Sequence, residues 1–243
     1  MDLSFTPLPD YAELFCFSNF TFLRGASHAE ELAGRAAQLG YAGLAITDEC
    51  SLAGIVRAHV AAKEANLPLI VGAYFKLVNA DGRPAFGLIL LAQNREGYGN
   101  LSELITLARR RAPKGEYRLT PHDLSRPDAQ YAHLRGMPDC LAILVPDFPA
   151  QEEALDVQLE WLGETFSGRA WCGLVLHQRA MDDIHRGAIE YIAQQRGVPV
   201  VALGNVVMHV RSRKPLQDVM TAIRAGRPVH ECCYDLSPNA GQG

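Results

Sequence analysis

The sequence lacks the features that mark membrane and secreted proteins. It contains no run of about 18 or more apolar residues, so no segment has the length and composition of a transmembrane helix. Residues 1–10 carry acidic side chains and no basic segment followed by an apolar one, which is unlike a secretory signal. We therefore expect a soluble, cytoplasmic protein that contacts no membrane.

Zinc-ribbon spacing and positive net charge are also missing. The six cysteines never occur as C-x-x-C, and in a chain this long their scatter favours reduced thiols over a disulfide framework. The adjacent pair Cys232 and Cys233 is accordingly predicted to be inert. The formal net charge is −4, so the chain has no overall positive field that would attract nucleic acid.

What the sequence does contain is a regular alternation of strand and helix patterns without internal repeats or low-complexity tracts. About seven strand–helix units fit one domain and favour a closed α/β barrel over an open doubly wound sheet. Ser27 and Glu30 have the spacing of a capping box for the first helix. A hairpin is predicted around residues 79–82, and residues 114–138 are less regular. The strands are predicted to form a parallel sheet. They cover residues 11–17, 41–47, 67–72, 86–91, 141–145, 170–176 and a buried strand at 198–203; the predicted helices cover 28–39, 51–65, 98–111, 151–165, 181–196 and 215–225.

Four segments carry a resemblance to a known family. They read SNFTFLRGA at 18–26, LAITD at 44–48, LAQNREGYGNLSELI at 91–105 and MHVRSRKPLQDV at 208–219. They resemble the polymerase-and-histidinol-phosphatase (PHP) domain that opens bacterial C-family DNA polymerases, specifically the error-prone, damage-tolerance branch. The resemblance runs from about Tyr11 to Gln242.

The resemblance implies a fold, a domain arrangement and a setting. The fold would be a distorted seven-stranded TIM-like α/β barrel, with an N-terminal extension at 1–10, the PHP domain at 11–230 and a tail at 231–243 leading toward a polymerase palm. Because the palm, its magnesium ions and the main DNA contacts lie downstream in such polymerases, we expect an excised domain. The implied partners are the remainder of the polymerase chain and, through the full-length protein, accessory mutasome proteins, the sliding clamp and DNA.

Active members of the family hold metal ions at the carboxyl ends of their strands and hydrolyse phosphoesters or proofread. Such chemistry requires several His, Asp, Glu or Cys ligands that converge on the cations. The family's cysteine ligand, expected near Val145 or Pro146, has no clear counterpart. The other ligand positions, carried over by the resemblance, fall on Phe15 and Phe17 (a His-x-His pair in the family), Arg24 (Asp), Glu49 (His), Tyr74 (Glu), Gly87 (His, the least certain position), Asn205 (Asp) and Val207 (His).

Only Glu49 keeps a ligand-grade anion among these positions. One carboxylate cannot hold a polynuclear metal site against hydration. Acidic side chains without their metal would repel one another, so replacing them with aromatic residues restores a packable interior. We therefore expect a metal-free domain without a cofactor or catalysis, which supports the polymerase and contacts partners. Arg24 is predicted to pair with Glu49 where the metal would be.

Two other interpretations remain open. A retained phosphoesterase or 3′-5′ exonuclease would use Zn or Mn with Glu49, His177, His209 and a cysteine. A DNA-guiding module would use basic residues, although cations at a helix C-terminus also complement the helix dipole. The candidate DNA or partner contacts are Arg109, Arg110 and Arg111 (with Lys114 nearby), and Arg211, Arg213 and Lys214. Asp48, just before a helix, is interpreted as a residue that caps the helix or fixes a loop rather than as a base.

Overall fold

The computed structural model describes residues 10–232 and 235–236, so the predictions for residues 1–9, for Cys233 and for most of the tail lie outside it. Its sheet has seven strands in chain order. Neighbouring strands are parallel except around β4, which is antiparallel to both β3 and β5. The strands are β1 (Ala12–Glu13), β2 (Gly43–Ile46), β3 (Leu69–Val78), β4 (Pro84–Ala92), β5 (Cys140–Val145), β6 (Ala170–Leu174) and β7 (Val200–Ala202).

The predicted hairpin explains the antiparallel strand. Asn79 N–H donates to the carbonyl of Arg83 at 2.8 Å, and Gly82 has φ +85°, a backbone conformation that favours glycine. The tight turn reverses the chain directly, whereas a parallel pair needs a long crossover. The hairpin is confirmed, and the expectation of parallel pairing is wrong for β4.

Hydrogen bonds also connect the two ends of the sheet. Phe17 N–H donates to the carbonyl of Val206, and Val206 N–H donates to the carbonyl of Phe15, each at 2.8 Å. Cys16 and Val206 thereby form an isolated parallel bridge between the segments that follow β1 and β7. The seven-stranded sheet is therefore curled into the predicted distorted α/β barrel.

Seven α-helices accompany the strands in the described part of the chain. The irregular segment 114–138, for which no helix was predicted, contains α4 and a 3-10 helix at Ala129–Leu134. No helix in the described residues is long and apolar enough to cross a membrane. The helices are α1 (Ala29–Gln38), α2 (Ile55–Glu64), α3 (Arg95–Arg110), α4 (Pro121–Ser125), α5 (Glu152–Thr165), α6 (Asp182–Arg196) and α7 (Lys214–Ala225).

Two local predictions are wrong. The N-terminus of α1 is one residue later than expected: His28 N–H donates to Glu31 Oε2 at 2.9 Å, while the Ser27 hydroxyl is engaged with the His209 ring. The last strand is short and partly exposed rather than buried, with Val200 39% exposed. It ends the sheet and has β6 as its one paired strand, so less of it is covered.

Side chains on the two faces of the strands form separate cores. Alternate residues such as Phe75, Leu88 and Leu144 pack outward against α3, α5 and α6. Their neighbours point inward and form a second buried cluster that includes Phe15, Phe17, Tyr74, Ile89, Leu91, Ile143, Val175, Leu203 and Val207. The predicted ligand positions thus lie in or beside the inner core of the barrel.

Candidate functional site

Three aromatic rings occupy the mouth of the barrel, where the family's metal ligands would converge. The Phe15 and Phe17 ring centroids are 4.9 Å apart, and those of Phe15 and Phe17 lie 5.0 and 5.6 Å from that of Tyr74. Both phenylalanines are at most 1% exposed. Residues two apart in an extended segment do point to the same face, but here they present hydrocarbon rather than lone pairs.

The Arg24 guanidinium lies over the rings of this aromatic cluster. Its guanidinium carbon lies 4.0 Å from the Phe17 ring centroid and 5.6 Å from that of Tyr74. Its Nη1 lies 3.5 Å from Glu49 Oε2, and its Nη2 donates to Asn205 Oδ1 at 3.5 Å. The predicted Arg24–Glu49 ion pair is confirmed. A cation on a side chain therefore lies among the positions where the family has anionic and imidazole ligands.

Glu49 has two further partners that the sequence analysis missed. Lys76 Nζ lies 3.4 Å from Glu49 Oε1, and the Tyr117 hydroxyl donates to the same oxygen at 2.9 Å. Lys76 follows Tyr74 by two residues in β3, so strand periodicity could have placed it near the site. Tyr117 lies in the irregular segment after α3, and no sequence pattern marked it.

Burial controls the titration of the two tyrosines at the mouth. It raises the pKa of Tyr74 to about 12, with the Arg24 charge opposing the increase. It also raises the pKa of Tyr117 far above its usual value, and the neighbouring Glu49 carboxylate adds to the increase. Both hydroxyls are therefore protonated at neutral pH.

The remaining carried-over positions offer no imidazole or carboxylate. A Cβ atom on Gly87 would lie 2.8 Å from Tyr74 Oη and 3.1 Å from Val145 Cβ, so the Tyr74 side chain fills the space that a histidine would need. Asn205 has φ +51°, and its amide oxygen accepts from Arg24. Val207 is buried in the inner apolar cluster.

These residues do not fit a polynuclear metal site. Of the carried-over positions, only Glu49 contributes a carboxylate, and its two oxygens already interact with Arg24, Lys76 and Tyr117. In residues 10–232 and 235–236, no group of three or more His, Cys, Asp or Glu side chains is arranged to hold a metal ion. The donor set therefore lacks the several converging ligands that such a centre requires.

The two candidate histidines lie in separate hydrogen-bonded settings. His177 Nε2 is 2.9 Å from the carbonyl oxygen of Gly204. His209 Nδ1 is 2.7 Å from the Ser27 hydroxyl and 3.8 Å from Glu31. Within the residues that the structure describes, these two histidines and Glu49 are not gathered into a metal-binding group.

Asp48 fixes the loop that carries Arg24, in agreement with its predicted role. Its carboxylate accepts the backbone N–H and the hydroxyl of Ser18 at 2.8 and 2.6 Å, and the hydroxyl of Thr21 at 2.7 Å. The side chain is fully buried, and burial raises the pKa of Asp48 while these hydrogen bonds oppose the increase. These hydrogen bonds fix the segment 18–21, which precedes Arg24.

Most of the basic candidates are engaged within the domain. Arg109 donates to the carbonyl of Cys50 at 3.0 Å, and Arg111 pairs with Asp123 and Asp128. Arg213 lies 2.6 Å from Glu31, and Lys214 pairs with Asp218. In the described part of the chain, Arg110, Lys114 and Arg211 have no carboxylate within ion-pair distance. The two basic runs are thus not continuous surfaces of unpaired cations.

Comparison with known proteins identifies the family. A model of the PHP domain matches residues 14–148, more than half of the chain. The chain belongs to the PHP domain family.

Longer relatives match all or nearly all of the chain. An error-prone DNA polymerase of Burkholderia mallei is 59% identical over all of this chain but only 23% of its own length. Error-prone DNA polymerases of Bordetella parapertussis and Methylococcus capsulatus are 60% and 46% identical over 96% and 94% of this chain. The chain therefore spans less than a quarter of the length of these relatives.

Solved structures share the fold at low sequence identity. A proposed metal-dependent phosphoesterase from Bifidobacterium adolescentis superimposes with a TM-score of 0.54 at 15% identity, over 84% of this chain and 89% of its own. An amidohydrolase from Chromobacterium violaceum gives 0.53 at 13% identity, over 81% and 87%. At these identities the similarity establishes the fold alone.

Proposed function

We propose that this chain is a degenerate PHP domain, metal-free and catalytically inactive, that serves as a structural scaffold and interaction module in an error-prone DNA polymerase. The polymerase assignment is supported by relatives of that name with 46–60% identity across nearly the whole chain. DNA synthesis across damage, its magnesium ions, and contacts with DNA, the sliding clamp and accessory mutasome proteins belong to the longer cytoplasmic protein.

One observation carries the proposal of inactivity. The Phe15 and Phe17 rings lie buried at the two positions where the family has a His-x-His pair, and the Arg24 guanidinium stacks on Phe17 at 4.0 Å. Hydrolysis of a phosphoester by metal ions needs lone pairs that hold the cations and a bound water to activate. Aromatic carbon supplies neither, and a fixed guanidinium repels an incoming cation.

The same contacts support a structural role. The ion pair of the stacked Arg24 with Glu49 joins residues 18–24 to the segment after β2, while Tyr117 joins the segment after α3 to the same carboxylate. An aromatic pair adds about 0.5–1.5 kcal/mol beyond the area it buries. Aromatic packing therefore stabilises the mouth of this domain at the positions where an active family member has its metal ligands.

Metal analysis and a nuclease assay test this proposal directly. After purification in the presence of Mn²⁺ or Zn²⁺, elemental analysis is expected to find no stoichiometric metal, and no 3′-exonuclease activity should appear. A family member that keeps its ligands provides the control for retention of metal during purification. Chelator should leave the melting temperature unchanged, because no bound ion stabilises the native state.

The opposite result is equally clear. Tight binding of about two or more metal ions per chain, together with exonuclease activity that chelator abolishes, would overturn the proposal and favour the retained phosphoesterase. Primer extension by the full-length protein on damaged templates tests the polymerase assignment separately. Failure of that assay would remove the polymerase setting without changing the conclusion about the metal site.

A further inference from the structure

Helix α7 buries polar side chains against the barrel and exposes apolar ones. Its buried residues are Gln217, Thr221 and Ala222. By contrast, Leu216, Val219 and Ile223 are 42%, 45% and 59% exposed. A surface helix of a soluble protein normally turns its apolar stripe toward the core and its polar residues outward.

The exposed apolar residues form one stripe along the helix. Leu216, Val219 and Ile223 are spaced by three and four residues, so they lie on adjacent turns of the same face. On the buried face, Gln217 Nε2 donates to the Thr221 hydroxyl at 3.1 Å. Gln217 Oε1 is buried and has no hydrogen-bond partner in the described part of the chain. The barrel therefore covers a side of α7 that carries Gln217 and Thr221, with Met220 partly buried against the inner apolar cluster, and it leaves Leu216, Val219 and Ile223 exposed.

A neighbouring loop extends this apolar surface. Phe22 is 83% exposed, although the loop that carries it is fixed by the Asp48 hydrogen bonds. Phe22 and Leu23 line a groove of about 290 Å³ together with Leu216 and Met220. We call the surface formed by Phe22, Leu23, Leu216, Val219, Met220 and Ile223 the α7 face.

Unpaired cations lie beside the α7 face. Among residues 10–232 and 235–236, no carboxylate lies within ion-pair distance of Arg211, which precedes α7, or of Arg224, in its last turn. The nearby Arg213 and Lys214, in contrast, are paired with Glu31 and Asp218. An apolar surface flanked by unpaired arginines fits a partner with an apolar centre and carboxylates at its edge.

We propose that the α7 face docks against the remainder of the longer polymerase polypeptide, onto an apolar surface flanked by acidic residues. This inference rests on the proposed function. The Burkholderia mallei relative matches this chain over its whole length, yet the chain spans only 23% of that protein. A contact within one polypeptide also has a high effective concentration, so a modest apolar surface suffices to hold it closed.

Thiol labelling of the full-length protein tests the inference. Single substitutions Val219→Cys and Phe22→Cys are compared with Val56→Cys, a control on α2 that is 72% exposed in this domain. Maleimide labelling is followed by mass spectrometry of the peptide that carries each site. Docking is expected to slow labelling at positions 219 and 22 by about tenfold or more relative to position 56, because the reagent needs an open state.

Crosslinking and the conditions under which labelling is slowed identify which molecule covers the α7 face. A photo-crosslinker at position 223 is expected to join peptides outside this 243-residue region of the same molecule. Equal labelling rates at the three positions would overturn the inference. Protection that disappears on dilution would assign the surface to a second copy, and protection that appears only with added DNA or accessory proteins would assign it to them; either result would also overturn it.

The measurements separate this inference from the function on which it rests. Metal content, nuclease activity and primer extension are measured on the same preparation. A protein that extends primers but labels equally at all three positions refutes the docking surface alone. A protein that is protected at the α7 face but fails to extend primers refutes the polymerase setting alone.

Discussion

Arg24→Ala removes the side chain that joins the aromatic cluster to Glu49. In the native domain the guanidinium lies 4.0 Å from the Phe17 centroid and 3.5 Å from Glu49, and the Arg24 side chain is 21% exposed. A partly desolvated cation–π contact contributes about 1–2 kcal/mol. An ion pair that retains some exposure adds about 0.5 kcal/mol. We therefore expect a loss of about 2 kcal/mol in the free energy of unfolding.

This loss is large enough to measure by thermal denaturation. In a domain of this length, about 2 kcal/mol corresponds to a decrease in melting temperature of roughly 4–8 °C. Arg24→Lys is the matched control, because it keeps the charge but not the planar stacking group, and we expect an intermediate decrease. A double-mutant cycle with Glu49→Gln should give a coupling energy of about 0.5 kcal/mol.

Arg24→Asp extends the test to the metal question. It restores the acidic residue of the family pattern beside Glu49, so we expect a larger loss of stability than for alanine because the carboxylates repel each other. Added Mn²⁺ or Zn²⁺ should not recover the melting temperature, since Phe15 and Phe17 supply no lone pairs. A melting temperature unchanged by Arg24→Ala, or a clear increase with metal in Arg24→Asp, would refute the reasoning.

Three further predictions concern packing, pH and DNA. Gly87→Ala should lower the free energy of unfolding by about 1–3 kcal/mol, because the added Cβ atom would overlap Tyr74. Gly99→Ala is the control, because a Cβ atom there meets open space, and it should leave the free energy of unfolding in a urea titration unchanged or raise it. Burial tends to raise the pKa of Asp123, but hydrogen bonds from its arginine and threonine partners outweigh burial and hold this pKa below its usual value. Ionised Asp123 stabilises the native state above its unfolded-state pKa, and this stabilisation is lost as the pH falls through its folded-state pKa. The Asp123→Asn variant should therefore be less stable than the native domain at neutral pH. The difference in free energy of unfolding between the two should narrow below about pH 4 in acid unfolding. Arg211→Ala should leave the low-salt affinity of this domain for primer-template DNA unchanged in a gel shift; a marked loss would favour the DNA-guiding module.

Local sequence patterns predicted most elements because helix and strand periodicities are carried by neighbouring residues. The predicted helix at 151–165 and the observed Glu152–Thr165 differ by one residue at one end. Larger differences occur where distant contacts decide the outcome. β3 continues to Val78 because it pairs with β4 along the hairpin, and α2 begins only at Ile55.

At the mouth of the barrel, the sequence alone predicted the contacts of those residues that occupy recognisable motif positions of the family. It predicted that Phe and Tyr side chains fill the site and that Arg24 pairs with Glu49, and the structure confirms both. It could not predict that Tyr117 donates to Glu49, because the two residues are 68 positions apart and only the folding of the barrel brings them together.

The sequence by itself therefore determined the alternation of elements, the family and the side chains available at the ligand positions, since these depend on local periodicity and residue chemistry. Tertiary structure alone decided which side of each element is covered. The apolar stripe of α7 is visible in the sequence, yet its outward orientation is not, because the periodicity of a helix defines a face but not the surface against which that face packs.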